Sequence, residues 1–488
     1  MSATSPAPAG APVIPRRTWL ALTVLLAGMF MALLDTTIVN VALPPIRASL
    51  NASEATLSWI ISGYALAFGL ALIPAGRLGD RLGHKWIYIG GLTLFTLASL
   101  SCGYAQSDLH LIVSRVVQGL ACGIYVPAVT AFIQLLFEPA RRGRAFAIMG
   151  SVIGVSTALG PLLGGLIIQA FGDENGWRLV FWVNLPIGVV TIIAAVLWLP
   201  SRSIAQTVGG RVDAVGLLLV TAGFVALLVP LIEGQDQGWP AWTFLSIAGS
   251  VVLIAAFGAW EVRFTRSGHT PLVPPGLFRH RDFTGGVILA LVYFASFTSI
   301  FFTISLLWQA GLGHTALETG LVSLPFALGN IIGASQSNRL AKRFGRNVLV
   351  AGAAMVTAGL LATWLVLLLT EPMELSHWQF VAPLLLAGLG NGLFIAPNTA
   401  FIVATVEPRE AGAASGVIGA VQRIGSATGI AVIGSVLFGT LVVKGPGPEA
   451  LAEGFGHSAT VAILVSVGLS ALALLLVFVL PRRVERRG

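Results

Sequence analysis

One carboxylate lies in the apolar run LLDTTIVNVALP, residues 33–44: Asp35 is the only acidic residue read as lying well inside a membrane segment. An ionisable group in lipid is costly, so it faces a cavity or a partner and marks an ion or substrate path. Low dielectric disfavours the charged form of a carboxyl group, which suits a group that takes up and releases a proton. The same charge could face a cationic ligand. The alternative is a purely structural Asp held by Thr36, Thr37 or Asn40.

A second charge lies in LIVSRVVQGLACG, residues 111–123. Arg115 sits near the predicted outer end of its segment, and Asp35 lies roughly 24 Å from the start of the first segment at 1.5 Å per residue. The two segments run in opposite directions, which puts both side chains in the outer half of the membrane. Arg115 is therefore expected to tune Asp35, directly or through water and Gln118; snorkelling to the outer interface is the alternative. Arg423, beside Gln422, is the other charge placed within the membrane, with substrate contact and structural pairing both open. Asn40, Trp59, Tyr64, Tyr125, Phe394 and Asn398 are candidates to line a cavity, although any single aromatic can equally be packing.

Two glycine-rich motifs could move these groups. GRLGDRLGHK, residues 76–85, reads as a short loop in which Gly76 and Gly83 permit tight turns while Asp80 and Arg81 pair or cap a helix end. GSVIGVSTALGPLLGG, residues 150–165, sets Gly150, Gly154, Gly160, Gly164 and Gly165 along one side of a helix that Pro161 bends or interrupts. Close movable packing and a static small-residue interface both fit this composition.

The elements carrying these residues follow from composition. The 488 residues are 56% hydrophobic and 10% charged, with a mean hydropathy of +0.88, against about 25% charged in soluble domains. Only a bilayer accommodates that much apolar surface. Fourteen apolar stretches can cross it, from 19–42 to 459–480, with the fifth and sixth at 144–170 and 178–199. Residues 1–15 read as a disordered tail. Of the 28 lysines and arginines, Arg47, Arg178 and Lys444 fall in outer loops and Arg115 and Arg423 in the membrane. The rest fall in inner loops and tails if both termini are cytoplasmic. The net charge of +8 is thus a topology and lipid-headgroup signal, and no nucleic-acid partner is expected. Cys102 and Cys122 lie in apolar segments, and the histidines do not cluster, so neither a disulfide framework nor a metal site is expected.

The chain also repeats. GLACGIYVPAVTAFIQLLFEPARRG from Gly119 matches GLGNGLFIAPNTAFIVATVEPREAG from Gly388, an offset of 269. Arg77-Leu78 and Arg81 match Arg339-Leu340 and Arg343, an offset of 262. The expected organisation is an N-terminal six-helix half (16–200), two interposed helices with linkers (201–274) and a C-terminal six-helix half with a basic tail (275–488). Parallel repeats flanking a midplane site are a transporter architecture.

In this order the motifs resemble the major facilitator superfamily. GRLGDRLGHK looks like its loop signature, RVVQGLACG like the exporter signature of helix 4, and ALGPLLGG like the antiporter signature. LDTTIVNVALP and GWRLVFWVNLPIG (176–188) resemble the fourteen-helix drug:proton antiporter branch. The resemblance implies an all-α polytopic fold and alternating access in the cell membrane. It implies proton-coupled export of amphipathic, cationic drugs by a monomer that uses the proton gradient and no cofactor. It assigns Asp35 to proton and substrate, Arg115 to proton transfer, Asp80 and Arg81 to a cytoplasmic gate, and Gly160-Pro161 to helix movement. A dedicated exporter of one antibiotic, siderophore, lipid or metabolite remains the nearest alternative. A membrane enzyme or sensor would need a nucleophile, metal cluster or signalling domain, and an ATP-driven pump would need a phosphate loop; the sequence shows none of these.

Overall fold

The computed structural model describes residues 15–200, 213–234, 237–403 and 411–480, apart from some side chains within the helices. The expected N-terminal tail, apart from its last residue, and the basic residues of the C-terminal tail lie outside the described residues. Among those described, the chain is helical almost throughout, because hydrocarbon offers no partner for unpaired backbone groups. In order, the helices are α1 (Arg16–Ile38), α2 (Leu43–Leu50), α3 (Glu54–Leu82), α4 (His84–Gly103) and α5 (Asp108–Leu136). They continue with α6 (Pro139–Trp182), α7 (Asn184–Trp198), α8 (Ala214–Glu233), α9 (Ala241–Arg266) and α10 (Arg281–Leu306). The last five are α11 (Ala316–Phe344), α12 (Asn347–Leu369), α13 (His377–Val403), α14 (Ala411–Gly439) and α15 (Pro448–Leu476). A short 3-10 segment, Val39–Ala42, joins α1 to α2 so that both form one crossing.

Thirteen helical stretches among the described residues are long and apolar enough to span a membrane, against fourteen expected. The difference is one stretch of 51 residues, Ile148–Trp198, covering the fifth and sixth expected segments. Its helical dihedrals break at Gly172 (φ 77°, ψ 162°), where only glycine is at ease. A Cβ added at Gly176 would lie 2.6 Å from Ile168 Cα, so the chain doubles back there. With that reversal the stretch supplies two crossings, and both described chain ends lie on one side. That side is called proximal below, and the other distal.

Two expectations about breaks are corrected. The motif at 76–85 is not a loop: α3 stays helical to Leu82 and α4 begins at His84, leaving Gly83 (φ 87°) as the whole connection. Glycine and charge together signal a loop in water, but glycine is tolerated inside membrane helices. Nor does Pro161 interrupt α6, whose break is at Gly172.

The repeat has a packing counterpart. A Cβ on Gly119 or Gly123 of α5 would collide with the carbonyl oxygens of Tyr64 or Phe68 on α3. On Gly388 or Gly392 of α13 it would collide with those of Phe326 or Asn330 on α11. The glycine pairs differ by 269 and the carbonyl pairs by 262, the same offsets found in the sequence. Each half therefore seats a glycine-faced helix directly on a neighbour's backbone.

The halves meet along two seams, α6 with α11 and α3 with α14. At the distal end, Ser305 Oγ donates to Asn40 O at 2.5 Å. There the backbones of α6 and α11 touch through Gly165 and Gly320, whose added Cβ atoms would lie 2.6 Å from Leu317 Cα and 2.5 Å from Pro161 O. The interposed pair packs α8 against α3 and α14, and Trp59 Nε1 donates to Glu233 Oε1 at 2.7 Å. Helix α9 is mostly exposed.

Candidate functional site

Asp35 is fully buried in the last turn of α1, and its carboxylate is an acceptor for donors from two other helices. Oδ2 accepts from Arg115 Nη1 at 2.6 Å. Oδ1 accepts from Gln118 Nε2 at 2.9 Å and from Asn184 Nδ2 at 3.0 Å. Arg115 and Gln118 lie three residues apart on α5 and so share a face; Arg115 Nη1 also donates to Gln118 Oε1 at 2.7 Å.

The guanidinium is held on every side. Its Nε donates to Ile60 O at 3.1 Å, and its Cζ lies 4.0 Å from the Tyr64 ring centroid and 5.7 Å from that of Phe181. Tyr64 is therefore a floor for Arg115 rather than a wall of a cavity. Cys102 Sγ completes the shell by donating to Gln118 Oε1 at 3.6 Å. A buried ion pair of this kind adds little net stability over apolar packing, but removing one partner strands a charge.

Arg115→Ala is accordingly expected to lower unfolding stability by about 3–5 kcal/mol. The double variant Asp35→Asn/Arg115→Leu is expected to recover most of that loss. Thermal melts in detergent decide it: equal losses in the single and double variants would mean that charge compensation is not what Arg115 supplies.

The other expected cavity residues separate. Tyr125 is in the core of the N-terminal half, donating to Gly28 O at 3.0 Å and meeting Tyr88 and Phe95 edge-on. Trp59 faces the interposed pair, and the Asn40 amide donates back to Thr37 O at 3.2 Å. Arg423, half-buried on α14, crosses the seam to α3 with its Cζ 4.3 Å from the Phe68 ring centroid. Gln422 beside it accepts from Ser426 Oγ through its carbonyl. Phe394 stacks on Tyr293 at 3.8 Å. Asn398 is 1% exposed, and neither amide atom has a hydrogen-bond partner among the described residues.

The glycines of α6 do not share one side. Gly160 and Gly164 face Thr37, Ile38 and Val41 of the first crossing, Gly154 and Gly165 face α11, and Gly150 faces open space. Six residues at 100° each carry Gly160 about 240° around from Gly154, so the motif serves two interfaces. Gly76, Asp80 and Arg81 fall in α3, and their side chains lie outside the described residues.

Sequence reasoning missed four partners. Asn184, fully buried on α7, also donates to Ser99 Oγ of α4 at 3.0 Å. Tyr293, Asn391 and Asn330 form a buried chain in the C-terminal half, with Tyr293 Oη donating to Asn391 Oδ1 at 2.9 Å and Asn391 Nδ2 to Asn330 Oδ1 at 3.0 Å. Polar residues in apolar runs were the available signal. Acidic burial also extends beyond Asp35. Asp213 and Glu261 are each 2% exposed in the interposed pair, where Asp213 caps α8 through Gly216 N–H and accepts from Trp260 Nε1. Both lie near the proximal helix ends, where apolar counting does not predict burial.

Comparison with known proteins places this geometry. A model described as Major Facilitator Superfamily matches residues 25–430 and 286–488. The chain is 38% identical over 438 residues to the "Probable actinorhodin transporter" of Streptomyces coelicolor, covering 89% of this chain and 74% of that protein. It is 33% identical over 474 residues to the puromycin resistance protein pur8 of Streptomyces alboniger, covering 96% and 92%. Its fold matches a partially occluded inward-open structure of the xylose transporter XylE from E. coli, with a TM-score of 0.64 at 12% identity, covering 94% and 97%.

Proposed function

The chain belongs to the Major Facilitator Superfamily, a family of membrane transporters of small molecules, and we propose that it is a proton-coupled efflux antiporter for amphipathic drugs. The observation that carries this reading is the Asp35–Arg115 pair, a protonatable group buried at 0% exposure inside one transporter half. The relatives' names speak of an actinorhodin transporter and of puromycin resistance, and both termini are taken as cytoplasmic from the distribution of basic residues.

The geometry separates two roles that the sequence joined in one residue. Asp35 is closed off by Arg115, Gln118 and Asn184, all within residues 16–200. The distal clefts, such as that lined by Pro44, Arg47, Asn51 and Leu306, do not include Asp35 or Arg115. This enclosure supports reading the carboxylate as a proton site and not as a drug contact in this state. Drug binds between the halves, and coupling arises because protonation and drug favour different states.

A second reading, a dedicated exporter of one uncharged or acidic aromatic compound, is favoured by Arg423. That side chain brings positive charge to the α3/α14 seam. Purified protein in proteoliposomes distinguishes them. Under an imposed pH gradient, adding ethidium should release protons in proportion to transport. Silence toward ethidium with a response to anionic or neutral aromatic antibiotics would select the dedicated exporter. Silence toward both, with correctly inserted protein, would remove proton coupling.

A further inference from the structure

The segment GWRLVFWVNLPIG gains a role from its contacts with α4. Arg178 Nη1 donates to the last carbonyl of α4, Gly103 O at 3.0 Å, and to Ala105 O just beyond it at 2.6 Å. Trp182 Nε1 donates to Leu100 O at 3.3 Å, and Phe181 O accepts from Ser99 Oγ at 2.8 Å. Gly188 abuts Thr96 so closely that a Cβ would collide with its hydroxyl. The segment is clamped to α4 along its length, and the clamp delivers Asn184 to Asp35.

Among the described residues, every hydrogen-bond partner of the Asp35 carboxylate presents a donor: Arg115 Nη1, Gln118 Nε2 and Asn184 Nδ2. This shell fits an ionised carboxylate, which only accepts. A protonated carboxyl must donate, and the shell as it stands offers its O–H nothing. One of the two amides has to turn. Turning Gln118 would bring its NH2 against Arg115 Nη1 and break the 2.7 Å bond to Oε1. Asn184 is tied through Nδ2 alone, which donates to Asp35 Oδ1 and Ser99 Oγ, while its Oδ1 is buried with no partner among the described residues. Turned by half a revolution, that oxygen would lie where Nδ2 now stands, within about 3 Å of both Asp35 Oδ1 and Ser99 Oγ, and the Ser99 hydroxyl would swing from Phe181 O to donate to it.

We propose that Asn184 is a proton-responsive positioning residue whose side-chain amide turns over each time Asp35 gains or loses a proton. Resting on the antiporter reading, the step is simple in balance. One O–H bond forms at Asp35 as one breaks in a hydronium ion, leaving water, and the reverse transfer restores the carboxylate. Asn184 donates to the carboxylate and accepts from the carboxyl, so both forms stay hydrogen-bonded. The titratable and charged groups around it are Asp35 on α1, Tyr64 on α3, Cys102 on α4, Arg115 on α5 and Arg178 on α6. Because α7 follows the same clamp, a turn at Asn184 reports the proton to α4 and α7 together.

Infrared difference spectra of the full-length protein in liposomes, between high and low pH, test this. Wild type should show a carboxylic-acid carbonyl band that Asp35→Asn removes, together with a shift of the amide carbonyl band of isotope-labelled asparagine. In Asn184→Leu the acid band should move to the frequency of an acid without an acceptor, and Asn184→Gln should bring it back. Proton-driven export should fall about tenfold in Asn184→Leu, the effect of one hydrogen bond of ~1.4 kcal/mol, while substrate exchange at equal pH stays within about twofold. An unmoved acid band, or equal losses in both transport modes, would reduce Asn184 to a tether and overturn the proposal. Should Asn184→Leu not fold, the labelled wild type decides alone: an asparagine band blind to pH rejects the switch. Failure of wild type to couple protons at all counts against the antiporter reading instead.

Discussion

Asp35→Asn is expected to bring proton-driven export down to the level of empty liposomes while leaving drug binding within about threefold of wild type. The substitution keeps size and shape but removes the group that can carry a proton. It also strands Arg115, which retains Ile60 O, Gln118 Oε1 and the face of Tyr64. Those contacts should keep the protein folded at a cost of about 3–5 kcal/mol, visible as a lower melting temperature. Drug binding survives because no bond from Asp35 reaches the seams between the halves. Transport and binding must be measured on the same preparation. An Asp35→Asn protein that exports against its gradient under an imposed pH difference would take the proton site away from Asp35.

The second large effect concerns the distal seam. Gly165→Ala and Gly320→Ala should each push α6 and α11 apart at that end. The added methyl groups would meet Leu317 Cα at 2.6 Å and Pro161 O at 2.5 Å, and these backbone atoms have no rotamer to give. Overpacking of this kind costs about 1–3 kcal/mol, which as a bias between two states is a factor of roughly 5–150. The contact crosses between the halves, so the cost falls only on the distally closed state. A single cysteine introduced at Ala310, on the rim of the distal cleft, should therefore react faster with an impermeant maleimide in either variant. The native Cys102 and Cys122 are buried and give a low background. Gly160→Ala is the contrast, because its neighbour Thr37 belongs to the same half. It should lower stability without changing the labelling rate. Faster labelling in all three variants would mean general loosening and not a shifted equilibrium.

Legibility in the sequence divides along physical lines. Asp35, Arg115 and Gln118 stood out because charge in an apolar run is expensive, and opposite helix directions were enough to put them at one depth. The repeat offsets carried through to the backbone contacts of Gly119 and Gly388, because small residues there leave no second way to pack. Asn184 did not stand out as a partner of Asp35: a neutral amide is cheaper to bury, and 149 residues separate the two. Aromatic identity misled for Tyr64 and Tyr125, since a ring looks the same in sequence whether it supports a guanidinium or lines a cavity. The glycines of α6 misled for another reason. Their spacing says how many are small, while the interfaces they serve depend on which helices lie on either side.

The buried polar chain of the C-terminal half, Tyr293–Asn391–Asn330, consists of a phenol and two amides, whereas the buried polar cluster of the N-terminal half is built on an ion pair. Exchange of one amide for another small side chain alters shape and hydrogen bonding but carries no titratable charge with it. On the antiporter reading, substitutions along α10, α11 and α13 thus leave the ion pair of the other half, and with it the proposed proton site, untouched.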